Sequence, residues 1–281
     1  MAFDSFIPSI WTAHLIVNYD AANVLSSPLC VNNDYSGEIS GIGSEVTINR
    51  ITDPSVGDYT RYQDITLEKL DFKGQKLKID QQKYWGFEVD DIDDYQAAGE
   101  SIGTATIRAA AKLASEADAY IGGLMVDGAE DKSTVLAKDY GFDAVYNAIL
   151  DLSLVLDNKS IPAGRFLVVT PEIKHQLLRD PRFTVASGYG SAEPIQNGVI
   201  GSIAGFTVHV TNHLPKDDKT QAYKALMVAG HRDGTTMANQ IVKTEALRHP
   251  GHFADVVRGL HVYGAKVVRP ECLATATLAT S

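Results

Sequence analysis

The eight histidines could bind a metal ion or act in acid-base catalysis, and their spacing indicates whether they do. His249 and His252 lie three residues apart across a Pro-Gly turn, and His209 and His213 lie four apart at the end of a predicted strand. Neither pair has a third ligand at the spacing of a zinc site, and the chain contains no CxxC or HExxH motif. The sequence therefore predicts neither a metal site nor a cofactor.

Serine and cysteine nucleophiles need an activating environment, which the candidate residues lack. Ser191 lies in a Gly/Ser/Asn-rich segment without a GxSxG motif, and Cys30 has no adjacent basic residue. The phosphate-binding motifs GxGxxG and GxxxxGK[ST] are also absent. The acidic run at 88–94 lacks the glycine and terminal glutamate of a calcium loop, and the dipole of the helix predicted after it explains its charge. The sequence predicts no catalytic site.

Composition and charge exclude several classes of protein. The 281 residues are 44% hydrophobic and 21% charged, which is typical of a folded globular chain. A formal net charge of −10 argues against a protein that grips DNA phosphates. The chain has no run of about 18 apolar residues, so no membrane span is predicted. It also has no basic cluster before an apolar run near its start, so a secretory signal is not expected. Cys30 and Cys272 are expected to remain free thiols in a reducing cytoplasm.

The first 43 residues form an arm rather than a compact unit. Pro8, Pro28 and a polar turn interrupt a short predicted helix that starts at Ser9 and an extended segment after it. Trp11 and Leu15 are large apolar residues in this arm and need a covering surface. We expect that surface to belong either to the same subunit or to a neighbour.

Residues 44–94 are predicted to form one elongated β-hairpin. Apolar and charged residues alternate along it, as in a strand that is wet on one side. Lys73-Gly74 is predicted to be a turn, and the strand after it is predicted to continue through Phe87. A hairpin of this length is not stable alone, so it should rest on another surface.

A long helix, an α/β segment and closing strands make up the rest of the chain. The helix is predicted from Ala97 to Met125, because apolar residues, many of them alanine, recur every three or four positions. Residues 142–235 alternate helices with strands, including a compact strand at 165–170 and a helix opened by Pro171. Two long strands follow at 244–268, and the small, polar tail at 273–281 is expected to fray. The arm, the hairpin and the helix lack enough partners within one subunit, which favours assembly.

The order of these elements resembles the major capsid proteins of tailed bacteriophages, in a coat-protein branch of the Hong Kong 97-type fold. The resemblance covers nearly the whole chain, and the order and spacing of its motifs carry it. They are FIPSIW at 6–11, VNNDYSG at 31–37, GSEVTI at 43–48, GFEVD at 86–90, the helix at 102–124, FLVVTP at 166–171, IAGFTVHV at 203–210 and the strands of 245–268 with Arg269-Pro270.

The resemblance implies an α+β fold with five parts. They are an amino-terminal arm (1–43), an extended loop (44–94), a peripheral domain with a spine helix (95–141 and 236–272), an α/β axial domain (142–235) and a flexible tail (273–281).

It further implies a structural protein of the virion rather than an enzyme. Copies of the chain would form hexamers and pentamers of an icosahedral shell that encloses double-stranded DNA without binding it specifically and without contacting a membrane. Assembly is expected in the host cell cytoplasm, and scaffolding, portal and decoration proteins are further candidate partners.

Seven residues are candidates for contacts between subunits. They are Trp11, Leu15, Lys69, Lys73, Lys76, Lys78 and Trp85. The lysines of the extended loop are hypothesised to contact acidic surface on a neighbouring subunit. Two alternatives stay open from the sequence: an encapsulin-type protein compartment with the same fold, and a cytoplasmic α/β enzyme.

Overall fold

A computed structural model describes the chain at residues 17–19, 23–36, 45–51, 58, 61–62, 72–90, 101–137, 140–180, 201–217, 222–251 and 253–278. Within these residues the strands form three sheets, with two, three and six strands. The strands are β1 (Glu45–Ile51), β2 (Phe72–Lys78), β3 (Gln81–Asp90), β4 (Asp131–Leu136), β5 (Arg165–Val169), β6 (Ser202–Ile203), β7 (Phe206–Val210), β8 (Met227–His231), β9 (Thr235–Arg248), β10 (Ala254–Val267) and β11 (Leu273–Leu278). The helices are α1 (Ser101–Gly128), α2 (Phe142–Asn158) and α3 (Pro171–Arg179).

The six-stranded sheet has the order β4-β11-β8-β5-β7-β6 and is covered on both faces. Its central strand β5 is apolar from Phe166 to Val169, as expected for a strand that is covered on both faces. Leu167 and Val169 pack in the cluster that contains α2, whereas Phe166 and Val168 pack in the cluster that contains α1. The predicted strand at 165–170 and the helix opened by Pro171 are both confirmed.

The three-stranded sheet has the order β3-β10-β9, and α1 lies on one of its faces. The predicted alanine-rich helix is confirmed over Ser101–Gly128, and residues 97–100 lie outside the described part of the chain. At about 1.5 Å per residue its 28 residues span about 42 Å. Ala110, Ala114 and Ala117 are fully buried, so the sheet approaches the helix closely.

The predicted hairpin is shorter in the structure, and its last part belongs to another sheet. β1 and β2 pair antiparallel, and Lys73 and Gly74 lie inside β2, not at a turn. β3 pairs with β10 instead of extending the hairpin, because Trp85 and Phe87 are packed in the cluster around α1. The prediction that one hairpin strand runs through Phe87 is therefore wrong.

The explanation of the acidic run by the dipole of the spine helix is corrected for Glu88 and Asp90, while Asp91, Asp93 and Asp94 lie outside the described residues. Glu88 and Asp90 lie in β3 and are paired with Val256 and Ala254 of β10. The described part of the helix is Ser101–Gly128, and its first turn contains no acidic residue. These two carboxylates therefore do not sit at the helix end.

The expectation of a frayed tail is wrong for residues 273–278. These residues form β11, which lies between β4 and β8 in the six-stranded sheet. Leu273, Ala274 and Ala276 are fully buried, because small side chains fit a strand that is covered on both faces. β4, the parallel neighbour of β11, has no counterpart in the prediction.

Candidate assembly interface

The base of the hairpin packs on its own subunit. Val46, Ile48, Leu77 and Ile79 are buried in one cluster with Ala238, Val262 and Val268. Gly264 of β10 lies against this base, where an added Cβ would overlap the carbonyl oxygen of Lys78. The subunit therefore fixes the root of the hairpin, while the opposite side of β2 carries exposed lysines.

Lys76 and Lys78 are exposed on the hairpin. Lys76 Nζ lies 2.6 Å from Glu45 Oε2 on β1. The hydrogen bond between them lowers the pKa of Glu45 and raises that of Lys76. Both side chains are solvated, so this pair adds little to the stability of the hairpin.

The other hairpin and arm candidates are only partly placed. Lys73 lies in β2 opposite Arg50 of β1. Trp11, Leu15 and Lys69 lie outside the described residues. Lys73 shares strand β2 with Lys76 and Lys78, and the roles of all these candidates as contacts stay predictions.

Trp85 is corrected as a contact candidate, because the subunit buries it. Its side chain is 8% exposed and stacks on Phe87 with 5.8 Å between ring centroids. Gly259 on the neighbouring strand leaves room for the indole ring, since an added Cβ would lie 2.5 Å from Trp85 Nε1. Trp85 is a core residue between β3 and α1.

The residue beside Trp85 marks a surface that sequence reasoning missed. Side chains alternate along a strand, so Tyr84 points away from α1 and is 87% exposed. It lies opposite Leu260, which is half-buried, and Leu247 at 46% exposure lies opposite Val256 on the same face. We call this surface of β3, β10 and β9 the outer face.

The outer face also carries fixed charge. Arg258 donates two hydrogen bonds to Glu245 Oε2, at 2.9 Å from Nε and 2.6 Å from Nη2. Glu88 and Asp90 are exposed on β3 on the same side of the sheet. Phe253, in the turn that joins β9 to β10, is 80% exposed near the end of this face. The outer face therefore combines apolar side chains with acidic groups.

The alternation of Tyr84 with Trp85 was the sequence signal for this face. One of the two aromatic residues had to point away from the helix side, and in the structure it is Tyr84, whereas Trp85, the candidate taken from the sequence, is buried. The pairing of β3 with β10 could not be read from the sequence, because the two strands are about 170 residues apart.

Side chains that could bind a metal ion or act as nucleophiles do not form a site among the described residues. Among them, no group of three or more His, Cys, Asp or Glu side chains could hold a metal ion. Cys30 and Cys272 are both buried free thiols, as predicted. None of the helices in the described part of the chain combines the length and the hydropathy that a membrane span requires.

Comparisons with known proteins identify the class. A family model described as phage capsid protein matches residues 52–276, and the chain belongs to this family. The structure of Mycobacterium phage Che8 is 31% identical, covers 90% of both chains and has a TM-score of 0.70. No curated protein sequence has significant similarity to the chain.

Two more distant structures share the fold alone. The capsid of cyanophage P-SCSP1u is 14% identical, with 92% and 89% of the two chains covered and a TM-score of 0.70. A virus-like particle from Pyrococcus furiosus is also 14% identical, with 94% and 96% covered and a TM-score of 0.57. The fold is accordingly the α+β, Hong Kong 97-type capsid fold. The chain is a shell-forming major capsid protein, a structural protein of the virion.

Proposed function

We propose that copies of this chain assemble as hexamers and pentamers into an icosahedral shell around a double-stranded DNA genome, in the cytoplasm of the host cell. The six-stranded sheet with α2 and α3 would form the axial domain at the centre of each capsomer. The three-stranded sheet with α1 would form the peripheral domain, and the chain would have no enzymatic role.

The outer face is the observation that carries this proposal. Tyr84, Leu247 and Phe253 leave apolar surface in water on one side of a sheet whose other side is covered by α1. Apolar side chains grouped on one face mark an interaction site more often than scattered ones do. In a shell, a second copy of the chain would cover this surface.

The hairpin is the proposed occupant, because its charge complements the outer face. Lys76 and Lys78 are exposed on β2, and Glu88 and Asp90 are exposed on β3. Lys69 and Lys73 of the hairpin and Trp11 and Leu15 of the arm are further proposed contacts.

The net charge of −10 supports a shell that does not bind its genome tightly. Negative subunits repel DNA phosphates weakly and without sequence preference, so the genome can be packed without being gripped. Scaffolding, portal and decoration proteins are further proposed partners, and no membrane is involved.

The test is assembly of purified chains, followed by sedimentation and electron microscopy. Tyr84→Ser should abolish particles while leaving the urea unfolding midpoint of the subunit unchanged, and Tyr84→Phe, which keeps the ring, should still assemble. Normal particles from Tyr84→Ser would remove the outer face from the interface.

A charge exchange tests the hairpin as the occupant. Lys78→Glu should reduce assembly, and adding Glu88→Lys in the same chain should restore it, because every subunit then carries both reversed charges. Lys224→Glu, an exposed lysine elsewhere, is the matched control. Failure of the double variant to recover would assign Lys78 a different partner.

The content of the particles separates a phage shell from the protein-compartment alternative. The likeness to the Pyrococcus furiosus particle concerns the fold alone. Particles from infected cells that hold double-stranded DNA would support the shell, and particles filled with protein cargo would support the compartment.

A further inference from the structure

One stripe of α1 faces neither sheet and instead holds loops together. Ser115, Asp118 and Gly122 are spaced three and four residues apart and therefore lie on one side of the helix. Ser115 Oγ lies 3.4 Å from His213 Nδ1, in the loop that follows β7. Asp118 and Gly122 contact the segment of residues 23–33, which we call the strap.

Asp118 is a buried carboxylate whose hydrogen bonds go to the strap. Its side chain is 1% exposed, and it accepts from Val24 N at 2.9 Å, Ser26 N at 2.8 Å and Ser26 Oγ at 2.7 Å. Hydrogen bonds to an ionised acceptor are stronger than those between neutral groups. A buried charge that lost these donors would be strongly unfavourable, so Asp118 holds the strap firmly in place.

Gly122, one turn further along α1, lets the strap approach. An added Cβ would lie 3.1 Å from Leu25 Cδ1 and 3.3 Å from the carbonyl oxygen of His213. Leu25 is fully buried at this point, and Leu214 beside His213 is 2% exposed. The strap, the spine helix and the loop after β7 therefore pack together around Gly122.

The far end of the strap is bonded to the three-stranded sheet. Asn32 N donates to Thr235 O and Met237 N donates to Asn32 O, both at 2.9 Å. The eleven residues of the strap thus connect the spine helix and the loop after β7 with the first residues of β9. The strap is part of the predicted arm (1–43), and Trp11 and Leu15 lie in the front of the arm, the residues that precede the strap.

We propose that the strap is a docking element latched by Asp118, and that its docking is coupled to capture of the front of the arm by a second copy of the chain. The coupling rests on the proposed assembly, whereas the latch is a property of the single subunit. Because coupling between two sites is reciprocal, a neighbour that holds the arm favours the docked strap, and a docked strap favours capture.

Cys30 offers a direct reporter of docking. It lies within the strap, is fully buried, and burial together with the charge of Asp118 raises the pKa of its thiol to about 12. A thiol in this state reacts slowly with alkylating reagents. Cys272, buried in the six-stranded-sheet cluster, is an internal control for global unfolding.

The latch is tested by maleimide labelling of unassembled subunits, with each cysteine quantified by peptide mass spectrometry. Asp118→Asn keeps the shape of the side chain but replaces one of its two acceptor oxygens with an NH2 donor and removes the charge, and should speed labelling of Cys30 by about tenfold or more. Cys272 should keep its wild-type rate, and so should both cysteines in Asp127→Asn, an exposed aspartate on the same helix. An unchanged Cys30 rate, or a parallel rise at Cys272, would overturn the latch.

The coupling is tested by comparing wild-type subunits with wild-type particles. Assembly should slow Cys30 labelling at least threefold, and Asp118→Asn should raise the protein concentration needed for assembly. Equal Cys30 rates before and after assembly would overturn the coupling while leaving the latch intact. If wild-type chains form no particles, the proposed assembly fails, and the labelling of subunits still decides the latch.

Discussion

The two large sheets of this chain are completed in different ways. In the six-stranded sheet, β5 sends Phe166 and Val168 to one core and Leu167 and Val169 to another, so both faces are covered by the same subunit. In the three-stranded sheet, α1 covers the face of Trp85, whereas on the opposite face the hairpin base covers Val262 and Tyr84 stays exposed.

This difference separates residues that stabilise the folded subunit from residues that are available to contact another molecule. A sheet covered on both faces gains all its apolar burial from its own chain, so its substitutions should affect folding. Side chains that the subunit leaves exposed on a sheet face, such as Tyr84, gain burial only from another molecule, so their substitution should affect assembly and leave folding unchanged.

The largest expected effect concerns the six-stranded sheet, which the subunit covers on both faces. Leu152→Ala removes a fully buried side chain of α2 and should lower the free energy of unfolding by about 2–5 kcal/mol. Leu154→Ala, two residues away and 57% exposed, should change it by less than about 0.5 kcal/mol. Urea unfolding of the unassembled subunit measures both. Similar losses in the two variants would mean that α2 is packed differently.

The next effect concerns the covered face of the three-stranded sheet and depends on pH. His261 is fully buried beside Tyr19 and Tyr263, and burial lowers its pKa to about 4. The unfolded chain has a histidine pKa of about 6.5, so between these values it binds a proton that the folded chain does not. Stability should be fully present above pH 6.5 and should fall by about 3 kcal/mol as the pH drops to 4.

His261→Gln separates this contribution from that of the carboxylates. Both proteins share every other titrating group, so the difference between their unfolding free energies from pH 7.5 to pH 4 isolates His261. Parallel pH curves for the two proteins would show that the imidazole takes up its proton in the folded state.

A smaller effect is expected where the same face is tightly packed. Gly259→Ala pushes on the Trp85 ring and should cost about 1–3 kcal/mol of unfolding free energy. Gly123→Ala in α1 meets no atom within 4 Å and should be neutral or stabilising by up to about 1 kcal/mol. Combining Gly259→Ala with Trp85→Leu should recover part of the loss, and strict additivity would contradict the contact.

The smallest folding effect is expected on the hairpin. Lys76→Ala breaks the exposed pair with Glu45 and should leave the urea midpoint of the subunit unchanged, because solvated ion pairs contribute little. Assembly should nevertheless weaken if Lys76 contacts a neighbour. A clear loss of subunit stability would show that the hairpin belongs to the self-contained part of the molecule.

The strongest predictions from sequence concerned elements with a local signal. The alanine repeat of α1 and the apolar run of β5 predict their own structure, because helical and strand periodicity are properties of neighbouring residues. Predictions failed where a segment could pair with more than one distant partner. Exposed and buried side chains alternate along β3 as they would in a hairpin strand, and only its pairing with β10 identifies its sheet.

The sequence by itself determined the class of fold, the spine helix, the central strand and the free thiols of this protein. The tertiary structure alone decided that β3 exposes Tyr84, that Leu273–Leu278 is an inner strand, and that Asp118 binds the strap. Local patterns state which side chains need cover. Which surface covers them depends on contacts between residues far apart in the chain, and those exist only once the chain has folded.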